Sequence, residues 1–377
     1  MARIDLVDLA HTYGTDAARG AAGAAGPPIF ALNPISMTWR QGGAYALLGP
    51  SGCGKTTLLN IISGIVRQSH GKVLFDGRDV GALTTQQRNI AQVFQFPVIY
   101  DTMTVGENLA FPLKNRGLAR AEIDARVGEI ARLLDLTPDL GRRASRLSAD
   151  AKQKISLGRG LVRADVAAIL FDEPLTVIDP ALKWELRSKL KVLHRALDLT
   201  MIYVTHDQTE ALTFADTVVV MYEGAVVQIG TPEELFTRPS HTFVGYFIGS
   251  PGMNILPARV EGRRAVVAGR TLELARCYAG LPVTARIEIG IRPEFVSVAP
   301  LSPDLARAKV ERIDDLGRSR FAHVRLGEQR IAAHVPRGIA VGDEVGLRFD
   351  PAQIHVYADS HRVEGQPIDG RRIEGRA

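Results

Sequence analysis

The chain has 377 residues, which predicts two or three domains, and its content of 46% hydrophobic and 23% charged residues is ordinary for a soluble globular protein. No apolar run is long enough to cross a bilayer, Asp5 and Asp8 stand where a signal peptide needs apolar residues, and two cysteines, Cys53 and Cys277, exclude a disulfide framework. The net charge of +5 is dispersed along the chain, so it favours a solvated surface over a footprint for a polyanion.

Residues 1–240 alternate short apolar strands with helical stretches, a pattern that predicts an α/β domain with a mostly parallel sheet. Near the start, residues 14–28 are rich in Ala, Gly and Pro and predict a flexible surface loop. A helical subdomain is expected at about 96–165. Four buried strands are predicted: AYALLG (44–49), VAAILFDE (166–173), TMIYVTH (200–206) and TVVVM (217–221). One face of a helix in the helical subdomain is apolar, as packing requires: Ile123, Val127, Ile130 and Leu134.

The turn-rich stretch GSPG (249–252) precedes a region of short alternating strands, and we place a second domain at 241–362. Its pattern is that of a small all-β barrel, OB-like in type. The side chains that alternate toward one face in two of its strands are Ile287, Ile289, Ile291, Val345, Leu347 and Phe349. The remaining tail, 363–377, has little to bury and is predicted to be disordered.

The sequence GPSGCGKTT (49–57) follows a predicted strand and precedes a helix-like run, which is the context of a phosphate-binding loop. Its glycines let backbone N–H groups turn toward phosphate oxygens, and the start of the helix adds a favourable dipole. The motif predicts that Lys55 reaches the β- and γ-phosphates of a nucleotide and that the Thr56 hydroxyl binds Mg²⁺. The expected nucleotide-binding residues are Gly49, Ser51, Gly52, Cys53, Gly54, Lys55, Thr56 and Thr57.

Two other predicted strands end in residues suited to catalysis. VAAILF ends in Asp172 and Glu173, and two carboxylates at the end of a buried strand are costly unless they face a site. We expect Asp172 to hold Mg²⁺ and Glu173 to polarise an attacking water. The strand MIYVT ends in His206, whose place in the strand order indicates contact with a γ-phosphate.

Four motifs in this order resemble those of the ATPase subunits of ABC transporters: GPSGCGKTT, VFQ (93–95), ILFDEP (169–174) and YVTHDQTEA (203–211). Three more resemble the subgroup that serves carbohydrate importers, such as those for maltose, glycerol 3-phosphate and related polyols: MTVGENLAFPL (103–113), TPEELFTRPSHTFVGYFIGSPGMNILPA (231–258) and GIRPE (290–294). The resemblance implies an α/β P-loop NTPase domain with an inserted helical subdomain, followed by a regulatory TOBE-like barrel.

The resemblance also implies roles for single residues. Tyr13 looks like the aromatic residue that stacks on adenine, and Gln95 like the residue that senses Mg²⁺ and the attacking water and begins a loop contacting the membrane partner. Asp179, in TVIDP, looks like the aspartate of the loop that crosses the ATPase dimer. Val177, where the family usually has Asn, and Pro180 depart from that pattern.

Residues 147–153, LSADAKQ, occupy the position at which the family carries Leu-Ser-Gly-Gly-Gln, the segment whose Ser and Gly donors reach the γ-phosphate held by the other ATPase subunit. Ser148 matches, whereas Ala149 and Asp150 replace the two glycines. An acidic residue in the first helical turn stabilises a helix by about 0.3–1 kcal/mol. A carboxylate about 4 Å from a phosphate charge costs about 4 kcal/mol at an effective dielectric of about 20, so repulsion dominates where the side chain points at the phosphate.

Because the other motifs are intact, the sequence favours pairing with a second, different ATPase subunit, with one active site and one that turns over slowly. A homodimer that tolerates Asp150 is the alternative. The expected whole is an ATP-driven importer of a sugar or polyol, such as glycerol or glycerol 3-phosphate. It would lie peripherally on the cytoplasmic face of the inner membrane, with two permease subunits and, indirectly, an extracytoplasmic solute-binding protein.

A soluble ABC ATPase acting on nucleic acid is a competing interpretation, which the basic pI of about 9.3 allows. The sequence shows no long coiled-coil insertion, no second cassette and no basic–aromatic face in its barrel segments, so no nucleic-acid partner is expected. The C-terminal barrel is expected either to stabilise a dimer or to bind a regulator.

Overall fold

The computed structural model describes residues 2–13, 31–176, 178–197 and 199–367. The chain divides into two compact units, Met1–Pro232 and Glu233–Ala377, with a border that precedes the 240/241 border expected from the sequence. The predicted loop at 14–28, Val177 and the tail from 368 onward lie outside the described residues.

A six-stranded sheet forms the centre of the first unit, with neighbours in the order β10-β9-β3-β8-β7-β6. All adjacent strands in it are parallel except β10, which runs antiparallel to β9. Its strands are β3 (Ala44–Leu48), β6 (Ala91–Val93), β7 (Ile169–Asp172), β8 (Met201–Thr205), β9 (Thr217–Tyr222) and β10 (Ala225–Gly230). Every residue of β3, β7 and β8 is buried, since these strands are covered on both faces. The four strands predicted from apolar runs are therefore confirmed, although β7 begins three residues later than its run.

A separate antiparallel sheet, in the order β2-β1-β4-β5, was not predicted. It comprises β1 (Ile4–His11), β2 (Leu32–Trp39), β4 (His70–Phe75) and β5 (Arg78–Asp79). Its inward residues, among them Ile4 and Trp39, share one core with Leu47 of β3 and Leu58. A bulge between Leu6 and Leu9, where Asp8 has a φ of 45°, breaks the apolar/polar alternation of β1, so this strand has no continuous period-2 pattern in the sequence.

Seven helices of the described residues belong to the first unit: α1 (Lys55–Ser63), α2 (Thr85–Arg88), α3 (Val105–Lys114), α4 (Arg120–Leu133), α5 (Ala149–Leu161), α6 (Pro180–Leu197) and α7 (Gln208–Phe214). Helices α3, α4 and α5 form the predicted helical subdomain, and its apolar stripe from Ile123 to Leu134 is buried. The side chains of Thr104 and Glu107 form a capping box that begins α3. Pro180 is the first residue of α6, a position that needs no N–H donor.

The second unit is built mainly from strands, and its closed barrel has the order β15-β18-β17-β16-β19, which confirms the predicted small barrel. A four-stranded sheet, β11-β14-β20-β21, and a hairpin, β12-β13, accompany it. The barrel strands are β15 (Val296–Ala299), β16 (Ala306–Asp315), β17 (Arg320–Leu326), β18 (Gln329–His334) and β19 (Glu344–Phe349). The others are β11 (Asn254–Pro257), β12 (Arg259–Val267), β13 (Arg270–Tyr278), β14 (Ile287–Ile291), β20 (His355–Ala358) and β21 (His361–Val363), with helices α8 (Pro232–Thr237) and α9 (Thr242–Phe247).

Two details of the second unit differ from the sequence expectation. The strand with Ile289 and Ile291 lies in the four-stranded sheet and not in the barrel. Regular structure also continues beyond 362, because Val363 ends β21 and the backbone of Gln366 exchanges two hydrogen bonds with Cys277. The predicted disordered tail therefore starts too early; backbone pairing that spans 89 residues of sequence cannot be read from local composition. Within the described ranges, no helix is both long and apolar enough to cross a membrane.

Candidate nucleotide site

Four neighbouring parallel strands bring the predicted site residues to one edge of the central sheet. The strand order β3-β8-β7-β6 places four carboxyl ends side by side. The phosphate-binding loop follows β3, His206 follows β8, Glu173 follows β7, and Gln95 lies two residues after β6. Ligands of open α/β sheets bind at this edge, so the topology supports the grouping that the motifs predicted.

The loop between β3 and α1 requires glycine at particular places. Gly54 precedes α1 with a φ of 96°, in the left-handed region that favours glycine. A Cβ atom at Gly49 would lie 2.2 Å from the backbone oxygen of Met221, a distance that no side chain tolerates. These two constraints hold the loop against the neighbouring strand and leave the N-terminus of α1 facing the site.

Lys55 is a buried cation held by neutral groups of its own loop. Its Nζ donates hydrogen bonds to the carbonyl oxygens of Gly49 and Pro50, at 2.9 Å each, and lies 3.8 Å from Sγ of Cys53. Burial raises the pKa of the Cys53 thiol, with Lys55 acting in the opposite direction. A phosphate oxygen is a stronger acceptor for Lys55 than either carbonyl, because it carries charge.

A cavity of about 350 Å³ opens beside this loop. Its lining contains six of the eight predicted residues of the phosphate-binding loop, together with Tyr13, Ala31 and Glu173: Tyr13, Ala31, Ser51, Gly52, Gly54, Lys55, Thr56, Thr57 and Glu173. Tyr13 is exposed, and its hydroxyl shares a hydrogen bond of 3.0 Å with Oγ1 of Thr57. The Tyr13 ring therefore stands at the rim of the cavity, where it could stack on a planar base.

The two residues predicted to bind Mg²⁺, Thr56 and Asp172, are in direct contact. The Thr56 hydroxyl donates a hydrogen bond of 3.1 Å to Oδ1 of Asp172, so a hydroxyl and a carboxylate oxygen lie side by side. Burial raises the pKa of the Asp172 carboxyl, the bond from Thr56 opposes this, and the nearby Glu173 charge adds to the increase. A cation would stabilise the ionised Asp172, and Mg²⁺ prefers such oxygen donors.

Glu173 lies between the strand end and His206. Its Oε2 is 3.0 Å from Nδ1 of His206 and accepts a weaker hydrogen bond of 3.4 Å from the Thr176 hydroxyl. The backbone of Glu173 has a φ of 46°, the left-handed region that a residue with a Cβ rarely adopts. Strain of this kind persists only where surrounding contacts impose it, and it concentrates at functional sites.

The remaining predicted residues lie outside the lining of this cavity. Gln95 is half-buried and His206 half-exposed, and His206 is connected to the cavity through Glu173. Asp179 is exposed, directly before α6. The fold thus brings together the phosphate-binding loop, Asp172, Glu173 and His206. It does not bring Asp179 to the same place.

LSADAKQ forms the beginning of α5. The Ser148 side chain accepts a hydrogen bond of 3.3 Å from the N–H of Ala151, so it caps the helix. Asp150 lies in the first turn, where an acidic side chain suits the helix dipole, and it is half-buried. Ser148, Ala149 and Asp150 are not among the residues that line the cavity of this chain. Within one chain, the segment is therefore an ordinary helix start.

Sequence reasoning missed three residues at this edge. Ala31 lines the cavity, although nothing in its type indicates that. Glu210 is buried and accepts hydrogen bonds from the hydroxyls of Tyr203 and Thr205, just beyond His206. Gln153 is completely buried in α5 and contacts the ends of two strands. A polar residue on the buried face of a helix was the available signal for Gln153.

Three known domain families match parts of this chain. Residues 32–176 match the family described as ABC transporter, residues 249–296 the MalK OB fold domain, and residues 289–357 the TOBE domain. An sn-glycerol-3-phosphate import ATP-binding protein of Rhizobium johnstonii is 39% identical over 89% of this chain and 93% of its own length. A trehalose import ATP-binding protein of Mycobacterium tuberculosis is 38% identical over 88% of this chain and 93% of its own.

Among solved structures, cbiO1 from Clostridium perfringens, described as part of an ABC transporter complex, superposes with a TM-score of 0.54. It is 27% identical and covers 62% of this chain and 90% of its own. The similarity thus extends from the sequence motifs to the folded shape of a related subunit.

Proposed function

The chain belongs to the import ATP-binding proteins of ABC transporters, which bind ATP and hydrolyse it in step with transport, and we propose that this chain powers the import of a sugar, a polyol or a polyol phosphate. Glycerol and glycerol 3-phosphate are the candidates that we favour. The names of relatives that import sn-glycerol-3-phosphate and trehalose support this solute class. The observation that carries the proposal is the cavity where the phosphate loop, Tyr13 and Glu173 meet.

The residues at the sheet edge divide the work of binding and hydrolysis. The loop N–H groups and Lys55 bind the phosphates and neutralise their charge. Tyr13 stacks on the adenine ring. Glu173 orients and polarises the attacking water, His206 holds the Glu173 carboxylate and contacts the γ-phosphate, and Gln95 completes the site from the end of β6.

The adjacent oxygens of Thr56 and Asp172 fit a Mg²⁺ ion, with Gln95 as the third predicted ligand. When bound, Mg²⁺ would supply positive charge to the phosphate oxygens. The raised pKa of Asp172 agrees with this assignment, since a buried carboxylate with one hydroxyl partner is under-compensated without a cation.

We place the chain peripherally on the cytoplasmic face of the inner membrane, bound to two permease subunits that work with an extracytoplasmic solute-binding protein. The loop after Gln95 is the expected contact with a permease. Its side chains Phe96, Val98 and Tyr100 are exposed to 69%, 53% and 41%, an apolar group that a partner surface would cover. The second unit would stabilise the assembly or receive a regulator.

Asp150 indicates an asymmetric motor. We call residues 147–153 the signature segment. In a dimer in which each signature segment completes the partner's site, Asp150 would face the other subunit's ATP and slow its hydrolysis by charge repulsion. We therefore propose a second, different ATPase chain as the partner. A homodimer in which the helix start turns the carboxylate away is the alternative.

Two measurements test these proposals. In the purified transporter, Glu173→Gln should lower ATP hydrolysis to a small residual rate and stop solute uptake, whereas Glu129→Gln, on the exposed face of α4, should leave both unchanged. Equal activity of Glu173→Gln and wild type would refute the assigned role. Native mass spectrometry of the transporter should show two different ATPase masses. Two copies of this chain would refute the asymmetric pairing, as would an Asp150→Gly variant with unchanged ATPase rate and unchanged trapped nucleotide.

A further inference from the structure

One buried amide connects α5 with the ends of two strands of the catalytic sheet. Gln153 has no exposed surface, and its Nε2 donates a hydrogen bond of 2.6 Å to the carbonyl oxygen of Pro174 and a longer one of 3.4 Å to that of Phe94. Pro174 directly follows Glu173, and Phe94 directly precedes Gln95. A single side chain is thus bonded to the backbone beside both residues.

The backbone at Glu173 needs such support. Its φ of 46° disfavours every residue except glycine, and its carbonyl accepts bonds from the N–H and hydroxyl of Thr176 at 3.3 and 3.1 Å. Those bonds are local to the turn. From outside the turn, the Glu173 N–H donates to the carbonyl of Val204 on β8 at 3.0 Å, and Gln153 adds a side-chain bond at the next carbonyl along the chain, which ties the strained segment to α5 as well.

The other end of the amide argues against a purely packing role. Oε1 of Gln153 is buried without a hydrogen-bond partner among the described residues. An unpaired buried acceptor lowers stability, and a leucine of similar size would avoid that loss. The two carbonyl partners identify Nε2 as the donor. The unpaired Oε1 therefore lowers stability, while Nε2 forms the link to the two strand ends.

We propose that Gln153 is a positioning residue for ATP hydrolysis, which holds Glu173 and Gln95 in register with α5. This rests on the roles proposed above for Glu173 and Gln95. Because the first turn of α5 carries Ser148 and Asp150, the link also connects the signature segment that serves the partner subunit with the hydrolytic residues of its own chain. A shift of α5 in the dimer would move both strand ends together.

The test uses the assembled transporter purified through this chain, with Gln153→Leu as the main variant. We expect a kcat for ATP hydrolysis at least tenfold lower and an ATP Kd within twofold of wild type, since no group that contacts the nucleotide has changed. Asn254→Leu is the matched control. Asn254 is also a buried amide and belongs, like its hydrogen-bond partner Ala332, to the second unit. Loss of its two hydrogen bonds to the Ala332 backbone should lower stability and leave kcat within twofold. A Gln153→Leu variant with unchanged kcat would overturn the proposal.

A double variant separates positioning from general damage. Once Glu173→Gln has removed the water-polarising carboxylate, adding Gln153→Leu should reduce the residual rate by less than threefold if Gln153 acts mainly through Glu173, because only its effect on Gln95 is left. A further tenfold or greater reduction would contradict that route.

Hydrogen exchange of the full-length chain provides a readout that does not need activity. Gln153→Leu should speed exchange at least tenfold in both 94–95 and 173–176, with α4 unchanged; exchange unchanged in these two segments would overturn the link. If wild type hydrolyses no ATP, or Glu173→Gln hydrolyses it normally, the proposed function fails instead, and the exchange result alone decides whether the link exists.

Discussion

Replacing Glu173 with glycine and with alanine should show directly that its backbone is strained. Both changes remove the contacts with His206 and Thr176, so their difference in stability reports the backbone alone. At a φ of 46° an alanine Cβ costs about 1–2 kcal/mol, while glycine loses about 0.5–1 kcal/mol more conformational freedom on folding. We therefore expect Glu173→Gly to be more stable than Glu173→Ala by about 0.5–1 kcal/mol.

A helical position gives the opposite order. Glu129 lies in α4 with an exposed side chain paired to Arg126, and there glycine should be about 1 kcal/mol less stable than alanine. Urea unfolding followed by tryptophan fluorescence measures both pairs. The two tryptophans, Trp39 and Trp184, belong to the first unit, so the signal excludes the unfolding of the second. If Glu173→Ala equalled or exceeded Glu173→Gly in stability, the left-handed backbone would be wrong and the argument for Gln153 would lose its basis.

Three further predictions concern other parts of the chain. Burial raises the pKa of Asp172, so its ionised form lowers stability above that pKa and the effect disappears as the pH falls through it. Asp172→Asn should therefore raise the Tm of the nucleotide-free chain at pH 7 and raise it less at acidic pH. The same change should remove the additional stabilisation that Mg²⁺ provides together with ATP. A lower Tm at pH 7 would refute this. Tyr13→Ala should weaken ATP binding about tenfold by calorimetry, since stacking contributes about 1–3 kcal/mol, whereas Tyr13→Phe should change it less than threefold; equal losses would assign the effect to the hydroxyl. Arg292→Met should destabilise the second unit by about 3–5 kcal/mol in thermal unfolding, because the buried guanidinium donates to the carbonyls of Phe236 and Ile248 at 2.6 and 2.5 Å; a loss below 1 kcal/mol would contradict this.

The helix start at LSADAKQ shows how one segment can serve two demands. Within the chain, Ser148 and Asp150 suit the first turn of α5 and explain why the helix forms there. Toward a partner's nucleotide, the same carboxylate would be repulsive. The folded chain by itself meets the first demand, and the proposed asymmetric pairing rests on the second.

Local chemistry was enough to predict much of the protein. GPSGCGKTT, the carboxylates after an apolar run and the helical stripe from Ile123 to Leu134 each depend on neighbours a few residues away, and each lies where the sequence indicated. Composition and alternation likewise identified a small barrel in the second unit.

The features that only the tertiary structure revealed depend on residues that are distant in sequence. The strand order that brings Gln95, Glu173 and His206 to one edge, and the pairing of Tyr13 with Thr57, arise from long-range contacts. The left-handed backbone of Glu173 and the buried link from Gln153 to the ends of β6 and β7 belong to the same class. A residue's type and its neighbours specify which local structures are stable, but the free energy that holds a strained residue or a buried amide in place comes from groups that meet only when the chain is folded.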